Sequence, residues 1–214
     1  MPNWEKIMEA KTALAKRGAK PSARGDNPRI PAGQTQVHDF PVLDIGQSRP
    51  LSTADWRLQL WGLVETPLLL DWQAFNDLPQ SEMTIDCHCV TRWSRLDMAW
   101  SGVLASELVR RVRPLDQAKF VTLHGFDRYT TNLPLEALLD DDVMLAHKVF
   151  GKALSHEHGG PVRLVVPKRY AWKSAKWLSG IEFHASDRPG FWEQRGYHNE
   201  ADPWLEQRFG PTEL

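Results

Sequence analysis

The stretch Asp86-Cys87-His88-Cys89-Val90-Thr91-Arg92-Trp93-Ser94 holds both cysteines of this 214-residue chain. It begins where an apolar segment, 83–87, predicts a β-strand, and it continues into polar and aromatic residues typical of a loop. A thiolate at a strand end is a soft sulfur ligand, which favours a metal centre in a cleft above it. The alternative for either cysteine is a small, buried, apolar packing residue.

The Cys87-His88-Cys89 triplet is also compatible with zinc. Structural zinc takes four ligands, and the chain has no second cysteine pair to supply them. Zinc would therefore have to recruit histidines from elsewhere, and the candidates are His124, His147, His156 and His158. A zinc-stabilised domain is the least favoured hypothesis for this chain.

A second stretch, Lys173-Ser174-Ala175-Lys176-Trp177, lies in a window, 159–181, that contains basic residues and no Asp or Glu. The chain as a whole has a net charge of -1, so this local excess of positive charge predicts anion binding. The hydroxyl of Ser174, the ammonium of Lys176 and backbone N–H groups could converge on a phosphate. A solvated cationic loop is the alternative.

Composition limits the broad class. Hydrophobic residues make up 42% of the chain and charged residues 25%, as in ordinary globular proteins. The net charge argues against a nucleic-acid partner. No apolar run approaches the roughly 20 residues of a membrane span, and residues 1–20 lack the core of a signal peptide. With two closely spaced cysteines unsuited to a disulfide, we expect a cytoplasmic protein.

Hydrophobic periodicity predicts strands over 56–65, 83–87, 118–124, 143–150, 162–166 and 177–184. It predicts short helices over 3–18, 71–75, 104–112 and 134–139. These elements show no regular βαβ alternation, so the fold class is α+β with mixed β-sheets and short helices. We expect an N-terminal helix and extended basic arm over 1–36, a main domain over 37–185, and an aromatic tail over 186–214 packed on that domain.

Four segments together resemble a known family. The run Cys89-Val90-Thr91-Arg92-Trp93-Ser94 and the segments 129–135, 158–163 and 173–177 match motifs of the sulfite-oxidase-like molybdopterin oxidoreductases, in the same order and spacing. The resemblance extends from about residue 38 to about residue 183. It is greatest to short cytoplasmic relatives of the catalytic subunit of the periplasmic methionine sulfoxide reductase.

The resemblance implies the sulfite oxidase molybdopterin-binding domain fold for residues 37–185. It also implies a molybdenum-molybdopterin cofactor without a nucleotide, and oxygen-atom transfer to or from a small sulfur- or nitrogen-containing substrate. Cys89 falls at the family's metal-ligand position, and Cys87 does not. The positions that the resemblance assigns to the pterin are His38, Phe40, His124, His158, Arg163, Ser174, Ala175 and Lys176.

Arg92, Trp93 and Tyr129 are expected at the catalytic side of the site. The alternative role of Arg92 and Trp93 is support of the thiolate, and that of Tyr129 is capping of a strand end. The set of arginines that surrounds the metal of sulfite oxidases is not clearly reproduced, so oxidation of sulfite itself is not predicted. The expected partners are a small-molecule substrate and an unidentified electron-transfer partner. The alternative function is a non-catalytic module that binds molybdopterin or another anion.

Overall fold

Two β-sheets form the framework of the residues that the computed structural model describes, which are 5–6, 9–10, 12–13, 27–43 and 49–210. The first sheet contains β1 Thr35–Gln36, β4 Ser81–His88, β5 Trp93–Leu104, β8 Met144–Val149, β9 Lys152–Ala153 and β10 Arg163–Val165. The second sheet contains β2 Arg57–Gly62, β3 Leu68–Asp71, β6 Phe120–Gly125, β7 Thr130–Pro134 and β11 Leu178–His184.

Both sheets are mixed. The first has the order β1-β5-β8-β10, with β4 added to β5 and β9 to β8, and the second has the order β3-β2-β11-β6-β7. Strand β1 runs parallel to β5 and β2 runs parallel to β11, while the other pairs are antiparallel. The α-helices are short: α1 Trp72–Asn76, α2 Ala105–Val112 and α3 Leu135–Leu138. The predicted α+β class with mixed sheets is confirmed.

The helices begin and end where local sequence signals place them. A carboxylate oxygen of Asp71 accepts the backbone N–H of Ala74 at 2.9 Å and so caps the start of α1. In α2, Leu108 and Val112 are buried on one face. The helix ends at Arg113, which adopts a left-handed conformation (φ 50°) immediately before Pro114.

The sequence did not predict β5, which at twelve residues spans the first sheet. Its alternation of buried and exposed residues is interrupted near Asp97, which has a positive φ of 55°, and the register with β4 shifts between Ile85 and Cys87. A bulge of this kind breaks the period of two on which strand prediction depends. The cysteine segment is therefore the turn of a long hairpin, β4–β5, rather than a loop after an isolated strand.

The main hydrophobic core lies between the two sheets. It joins Val103 and Leu145 of the first sheet to Leu60, Leu123 and Ile181 of the second, all fully buried. Burying each such aliphatic side chain contributes about 1.5–3 kcal/mol. The other face of the first sheet carries a smaller cluster that includes Met98, Trp100, Met144 and Ala146.

The structure describes a small part of the N-terminal segment and most of the C-terminal segment. Of the predicted N-terminal helix, residues 5–6, 9–10 and 12–13 are helical, and the rest of that helix and residues 14–26 of the arm lie outside the described residues. In the C-terminal segment, Trp192 and Tyr197 belong to the main core cluster. Within the described residues, no helix is both long enough and apolar enough to cross a membrane.

Candidate active site

A pocket of about 940 Å³, counting the open space at its mouth, lies beside the turn of the β4–β5 hairpin. Its walls come from that hairpin, from residues 40–43, from the loop 171–177 and from the C-terminal segment. The predicted site residues that line it are Phe40, Cys89, Trp93, Tyr129, His158, Arg163, Ser174 and Lys176.

Cys89 occupies the first position of the hairpin turn. Its N–H donates to Trp93 O at 2.9 Å, and its carbonyl accepts from the N–H of Arg92 at 3.0 Å. Arg92 closes the turn in a left-handed conformation, with φ 74°. The Cys89 Sγ lies 3.1 Å from the Thr91 hydroxyl, within hydrogen-bonding distance. The turn thus holds one sulfur at the pocket wall.

Two side chains from distant parts of the chain donate hydrogen bonds to this turn. Gln34 donates from Nε2 to the Cys89 carbonyl at 3.0 Å, and Arg208 donates from Nη1 to the Val90 carbonyl at 2.7 Å. The N–H of Thr35 in β1 donates to the Arg92 carbonyl at 2.9 Å. Three carbonyls of the turn are therefore fixed by parts of the chain that lie far from it in sequence.

The two neighbours of Cys89 on the strand face different surroundings. Cys87 also lines the pocket, and burial raises the pKa of its thiol to about 12, so it stays protonated at neutral pH. His88 is buried, with Nδ1 2.8 Å from the Ser94 hydroxyl, and burial lowers its pKa to about 4. No cluster of three or more His, Cys, Asp or Glu side chains suited to a metal occurs within the described ranges. This geometry gives the zinc alternative no support.

Arg163 supplies a buried positive charge in the pocket wall. Its guanidinium donates to the carbonyls of Leu164, His158 and Ser174 at 3.3, 3.0 and 3.2 Å. Among the described residues, these bonds use three of its five N–H groups. Burial lowers the pKa of Arg163, but an arginine with this many acceptors stays charged.

His158 and Phe40 form one aromatic wall. Their rings are stacked, with centroids 4.2 Å apart. Nε2 of His158 lies 2.9 Å from the Phe40 carbonyl and therefore donates to it, while Nδ1 lies 3.0 Å from the Ser155 hydroxyl. Burial lowers the pKa of His158, so the ring is neutral. Both ring nitrogens are thus engaged with protein groups.

The 173–177 loop brings its polar groups to the same wall. The Ser174 hydroxyl accepts the Val166 N–H at 3.0 Å and keeps its own O–H for another acceptor. Lys176 donates to the Glu157 carbonyl at 2.7 Å, and its ammonium lies 5.0 Å from the centroid of the Trp177 ring. Ala175 is buried and is not among the lining residues; its carbonyl accepts the Leu164 N–H at 2.9 Å.

Besides Ala175, two predicted cofactor residues do not line this pocket. His124 lies on the second sheet, where it pairs with Glu182 at 3.2 Å and packs 5.1 Å from the Trp61 ring. It lines a separate groove. His38 is exposed and does not line the pocket either.

Of the residues predicted for the catalytic side, Trp93 and Tyr129 line the pocket and Arg92 does not. Trp93 lines the pocket, and its ring packs edge-on against Phe40. Tyr129 lines it with its ring, because its hydroxyl donates to the Trp172 carbonyl at 2.6 Å. Burial and the nearby Glu193 raise the pKa of Tyr129 well above its ordinary value. Tyr129 is therefore a structural hydrogen-bond donor here.

Arg92 belongs to a group of side chains beside the cysteine turn, which we call the polar recess: Gln34, Arg92, Tyr170 and Arg208. Sequence reasoning predicted Arg92 for the site and missed the other three. Arg92 Nε and both Nε and Nη2 of Arg208 are buried and have no hydrogen bond within the described residues, and the buried Tyr170 hydroxyl lies beside the Gln34 side chain. The Arg208 guanidinium lies 4.8 Å from the Tyr170 ring centroid. Burial raises the pKa of Tyr170 to about 12, so its hydroxyl remains a donor. No signal in the sequence links positions this far apart.

A buried ion pair beneath the pocket was also missed. Lys173 Nζ lies 2.8 Å from Glu193 Oε1, and both side chains are almost completely buried. The same carboxylate accepts from the Trp172 indole at 3.0 Å, and Trp172 lines the pocket. The 171–177 loop is thereby fastened to the C-terminal segment.

Comparison with known proteins identifies the family. Residues 46–192 match the domain described as oxidoreductase molybdopterin binding domain. The chain belongs to the sulfite-oxidase-like molybdopterin oxidoreductases. It is 44% identical over 182 residues to the uncharacterized oxidoreductase YuiH of Bacillus subtilis (strain 168), covering 85% of this chain and 92% of that protein. The predicted family, the fold and the molybdopterin cofactor are confirmed.

Less similar relatives carry names that state an activity. The chain is 29% identical over 181 residues to the protein-methionine-sulfoxide reductase catalytic subunit MsrP of Campylobacter jejuni, covering 74% of this chain and 61% of MsrP. It is 31% identical over 156 residues to the NADPH nitrate reductase of Aspergillus niger, covering 59% and 18% of the two chains. The crystal structure of the sulfane dehydrogenase SoxCD from Paracoccus pantotrophus superposes with a TM-score of 0.61 at 26% identity, covering 69% of this chain and 42% of that chain. These relatives differ in their named activities, so membership establishes a molybdopterin-binding oxidoreductase.

Proposed function

We propose that the chain catalyses oxygen-atom transfer to or from a small substrate, with molybdenum held by Cys89 and by the dithiolene of molybdopterin. The observation that carries the proposal is the position of Cys89: its sulfur is at the wall of the pocket, on a turn whose carbonyls are fixed by Gln34, Arg208 and β1. A soft ligand held this firmly suits a metal centre rather than simple packing.

The pocket walls fit a pterin with an anionic phosphate. Arg163 and Lys176 supply two positive charges, and the Ser174 hydroxyl supplies a further donor. Phe40 and His158 supply a flat apolar and aromatic surface for a ring system. The pocket has no carboxylate among its lining residues apart from Asp127, so the local charge favours an anion.

The polar recess supports a small, oxygen-bearing substrate. Two guanidinium groups meet there, and the nearest carboxylate, Glu206, lies 3.9 Å from Arg208 Nη2. Buried donors without partners are costly unless a ligand or water satisfies them. An oxyanion, or the oxygen of an N-oxide or S-oxide, would accept from Arg92, Arg208 and the Tyr170 hydroxyl. The second arginine comes from the C-terminal segment, so the chain provides more positive charge here than its sequence suggested.

The roles in catalysis follow from this division. When bound, molybdopterin supplies a metal whose oxidation level changes by two electrons as an oxygen atom is transferred. Arg92 and Arg208 orient the substrate oxygen and offset its negative charge. The Tyr170 hydroxyl holds its proton at neutral pH and acts as a hydrogen-bond donor. Reduction of an oxide XO to X and water consumes two electrons and two protons. Oxidation of X by water to XO releases two electrons and two protons.

Replacement of Cys89 tests the proposal against a matched cysteine. We expect Cys89→Ser to abolish turnover of every substrate in a panel of sulfoxides, N-oxides, nitrate and sulfite, while the pterin content measured by fluorescence is retained. Cys87→Ser changes the other pocket cysteine and should keep turnover. Full turnover by Cys89→Ser with a normal metal content would refute the ligand assignment. A wild-type protein that binds molybdopterin and turns over nothing would favour the non-catalytic binding module instead.

Arg208→Met tests the substrate side separately. Loss of one charged hydrogen-bond donor should raise KM for an oxyanion substrate by roughly tenfold or more. Arg169→Met is the control, because Arg169 is a partly buried arginine that contacts Glu200 at 3.4 Å rather than the cysteine turn. Equal KM values for both variants would contradict the assignment of the polar recess to the substrate.

A further inference from the structure

A carboxylate, that of Glu206, lies at the edge of the polar recess. Its side chain is 41% exposed, and Oε1 lies 3.9 Å from Nη2 of the buried Arg208. That distance is too long for a hydrogen bond, and Arg208 Nη2 has no hydrogen-bond acceptor within the described residues. Glu206 therefore contributes negative charge beside the guanidinium and leaves its donor open to a ligand.

Three charged side chains converge on one glycine. A Cβ added to Gly33 would lie 2.9 Å from Arg92 Nη1, 3.0 Å from Glu206 Oε1 and 3.6 Å from Arg208 Nη2. Gly33 has a left-handed backbone conformation (φ 68°), and the missing side chain leaves room for all three. The Glu206 carboxylate consequently lies close to both guanidinium groups rather than to Arg208 alone.

The position of Glu206 is fixed by a short turn. The Asp202 carboxylate accepts the N–H groups of Trp204 at 2.7 Å and Leu205 at 3.3 Å, and the Asp202 carbonyl accepts the N–H of Gln207 at 2.9 Å. Within this turn Glu206 has a positive φ of 50°. A residue other than glycine in this region carries backbone strain, and such strain concentrates at functional sites. The turn thus holds a carboxylate beside the recess at a cost in backbone energy.

These three groups set the net charge of the recess. Arg92 and Arg208 each carry a positive charge and Glu206 carries a negative one, so the net charge is +1. A bound group with one negative charge is neutralised by this arrangement, and a neutral oxide accepts from the arginines without changing that charge. A dianion would keep an uncompensated negative charge beside buried groups, which is costly. A like charge placed next to the binding groups is a means of rejecting the wrong ligand.

We propose that Glu206 is a specificity-determining residue that limits the oxygen-bearing group of the substrate to a charge of zero or minus one. N-oxides, S-oxides and monoanionic oxyanions meet this limit, and dianions do not. The inference rests on the proposed function, because that function assigns the polar recess to the substrate. Neutralisation of Glu206 should therefore admit dianions without weakening the binding of neutral oxides.

Equilibrium binding of three probes to the oxidised holoprotein tests this selection. The probes are dimethyl sulfoxide, nitrate and sulfate, which carry charges of zero, minus one and minus two, and calorimetric titration at constant ionic strength gives each Kd. Removal of a unit charge several ångströms away, in surroundings close to water, changes the affinity of a monoanion by about threefold. We expect Glu206→Gln to leave the Kd of dimethyl sulfoxide unchanged, to lower that of nitrate by about threefold and to lower that of sulfate by about tenfold.

Two further variants accompany Glu206→Gln. Glu65→Gln is the matched control, because Glu65 is a half-exposed glutamate that pairs with Arg113 at 2.7 Å and does not line the pocket. It should change none of the three Kd values. Glu206→Asn, whose short side chain tolerates a positive φ, should reproduce the selective gain in sulfate affinity.

The outcomes separate the charge selection from the proposed function. Equal factors for nitrate and sulfate in Glu206→Gln, or no change in either Kd, would overturn the charge selection. Failure of the wild-type protein to bind either anion would overturn it as well. Binding with the expected factors in a holoprotein that turns over no substrate would support the charge selection and refute oxygen-atom transfer.

Discussion

The buried ion pair Lys173–Glu193 gives a sharp test of how the pocket loop is held. Lys173 donates to the carbonyl and to the side-chain oxygen of Asn132, at 2.9 and 3.0 Å, in addition to its 2.8 Å contact with Glu193. Burial lowers the pKa of Lys173, and the Glu193 carboxylate opposes that change. We consider Lys173→Met, which keeps the length of the side chain and removes its charge.

The cost comes from the carboxylate left behind. Breaking a buried ion pair by removing one partner typically destabilises by about 3–5 kcal/mol, because the other charge stays buried. Glu193 would keep two donors, the Thr131 hydroxyl at 2.9 Å and the Trp172 indole at 3.0 Å. We therefore expect the lower end of the range, a loss of about 3 kcal/mol in the free energy of unfolding.

Urea unfolding of the holoprotein measures this loss. Lys168→Met is the matched control: Lys168 is half-exposed and lies 3.3 Å from Asp140, so its loss should cost less than about 1 kcal/mol. The double variant Lys173→Met with Glu193→Gln should recover part of the loss, because no uncompensated charge remains. If Lys173→Met unfolds at the same urea concentration as Lys168→Met, the pair is not the fastening that the contacts indicate.

Three further changes test other parts of the structure. Arg163→Met should lower the pterin retained on gel filtration while leaving the circular dichroism spectrum unchanged, and full retention would remove Arg163 from the cofactor wall. Gly102→Ala should destabilise by roughly 1–3 kcal/mol, since an added Cβ would lie 2.0 Å from the Leu145 carbonyl oxygen. At Gly151 an added Cβ meets no neighbour, so Gly151→Ala should cost only about 1 kcal/mol of backbone strain. Equal urea midpoints for the two variants would contradict the close approach at Gly102. Burial lowers the pKa of His147. The stability that His147 contributes is therefore present above its unfolded pKa and is lost as the pH falls through its folded pKa. His147→Gln should flatten the fall of the urea midpoint between pH 7 and pH 5, and an unchanged slope would contradict this.

Local chemistry made much of the fold predictable. The Asp71 cap, the buried face of α2 and the apolar strands all depend on residues within one element. Strand β5 was missed because the irregularity near Asp97 hides its alternation, a feature that pairing with β4 imposes. The helix predicted over 134–139 is shorter, Leu135–Leu138, with Pro134 as its N-cap residue.

The candidate site was predictable only where it is local in sequence or part of a family motif. The cysteine turn and the 173–177 loop meet in one pocket, as the resemblance implied. The polar recess was not predictable, because Gln34, Tyr170 and Arg208 come together only when β1, the 171–177 loop and the C-terminal segment pack around the turn. The sequence predicted Tyr129 at the catalytic side of the site, but its hydroxyl donates to the Trp172 carbonyl. The domain boundaries and the cytoplasmic location stay predictions.

We propose that Cys89 is the protein ligand of molybdenum, and this assignment can be measured directly. X-ray absorption at the molybdenum edge counts the sulfur neighbours of the metal directly, in wild-type protein and in Cys89→Ser with equal pterin content. We expect the molybdenum in Cys89→Ser to lose one sulfur neighbour and the molybdenum in Cys87→Ser to lose none. An unchanged sulfur count in Cys89→Ser, or a loss in Cys87→Ser instead, would contradict it.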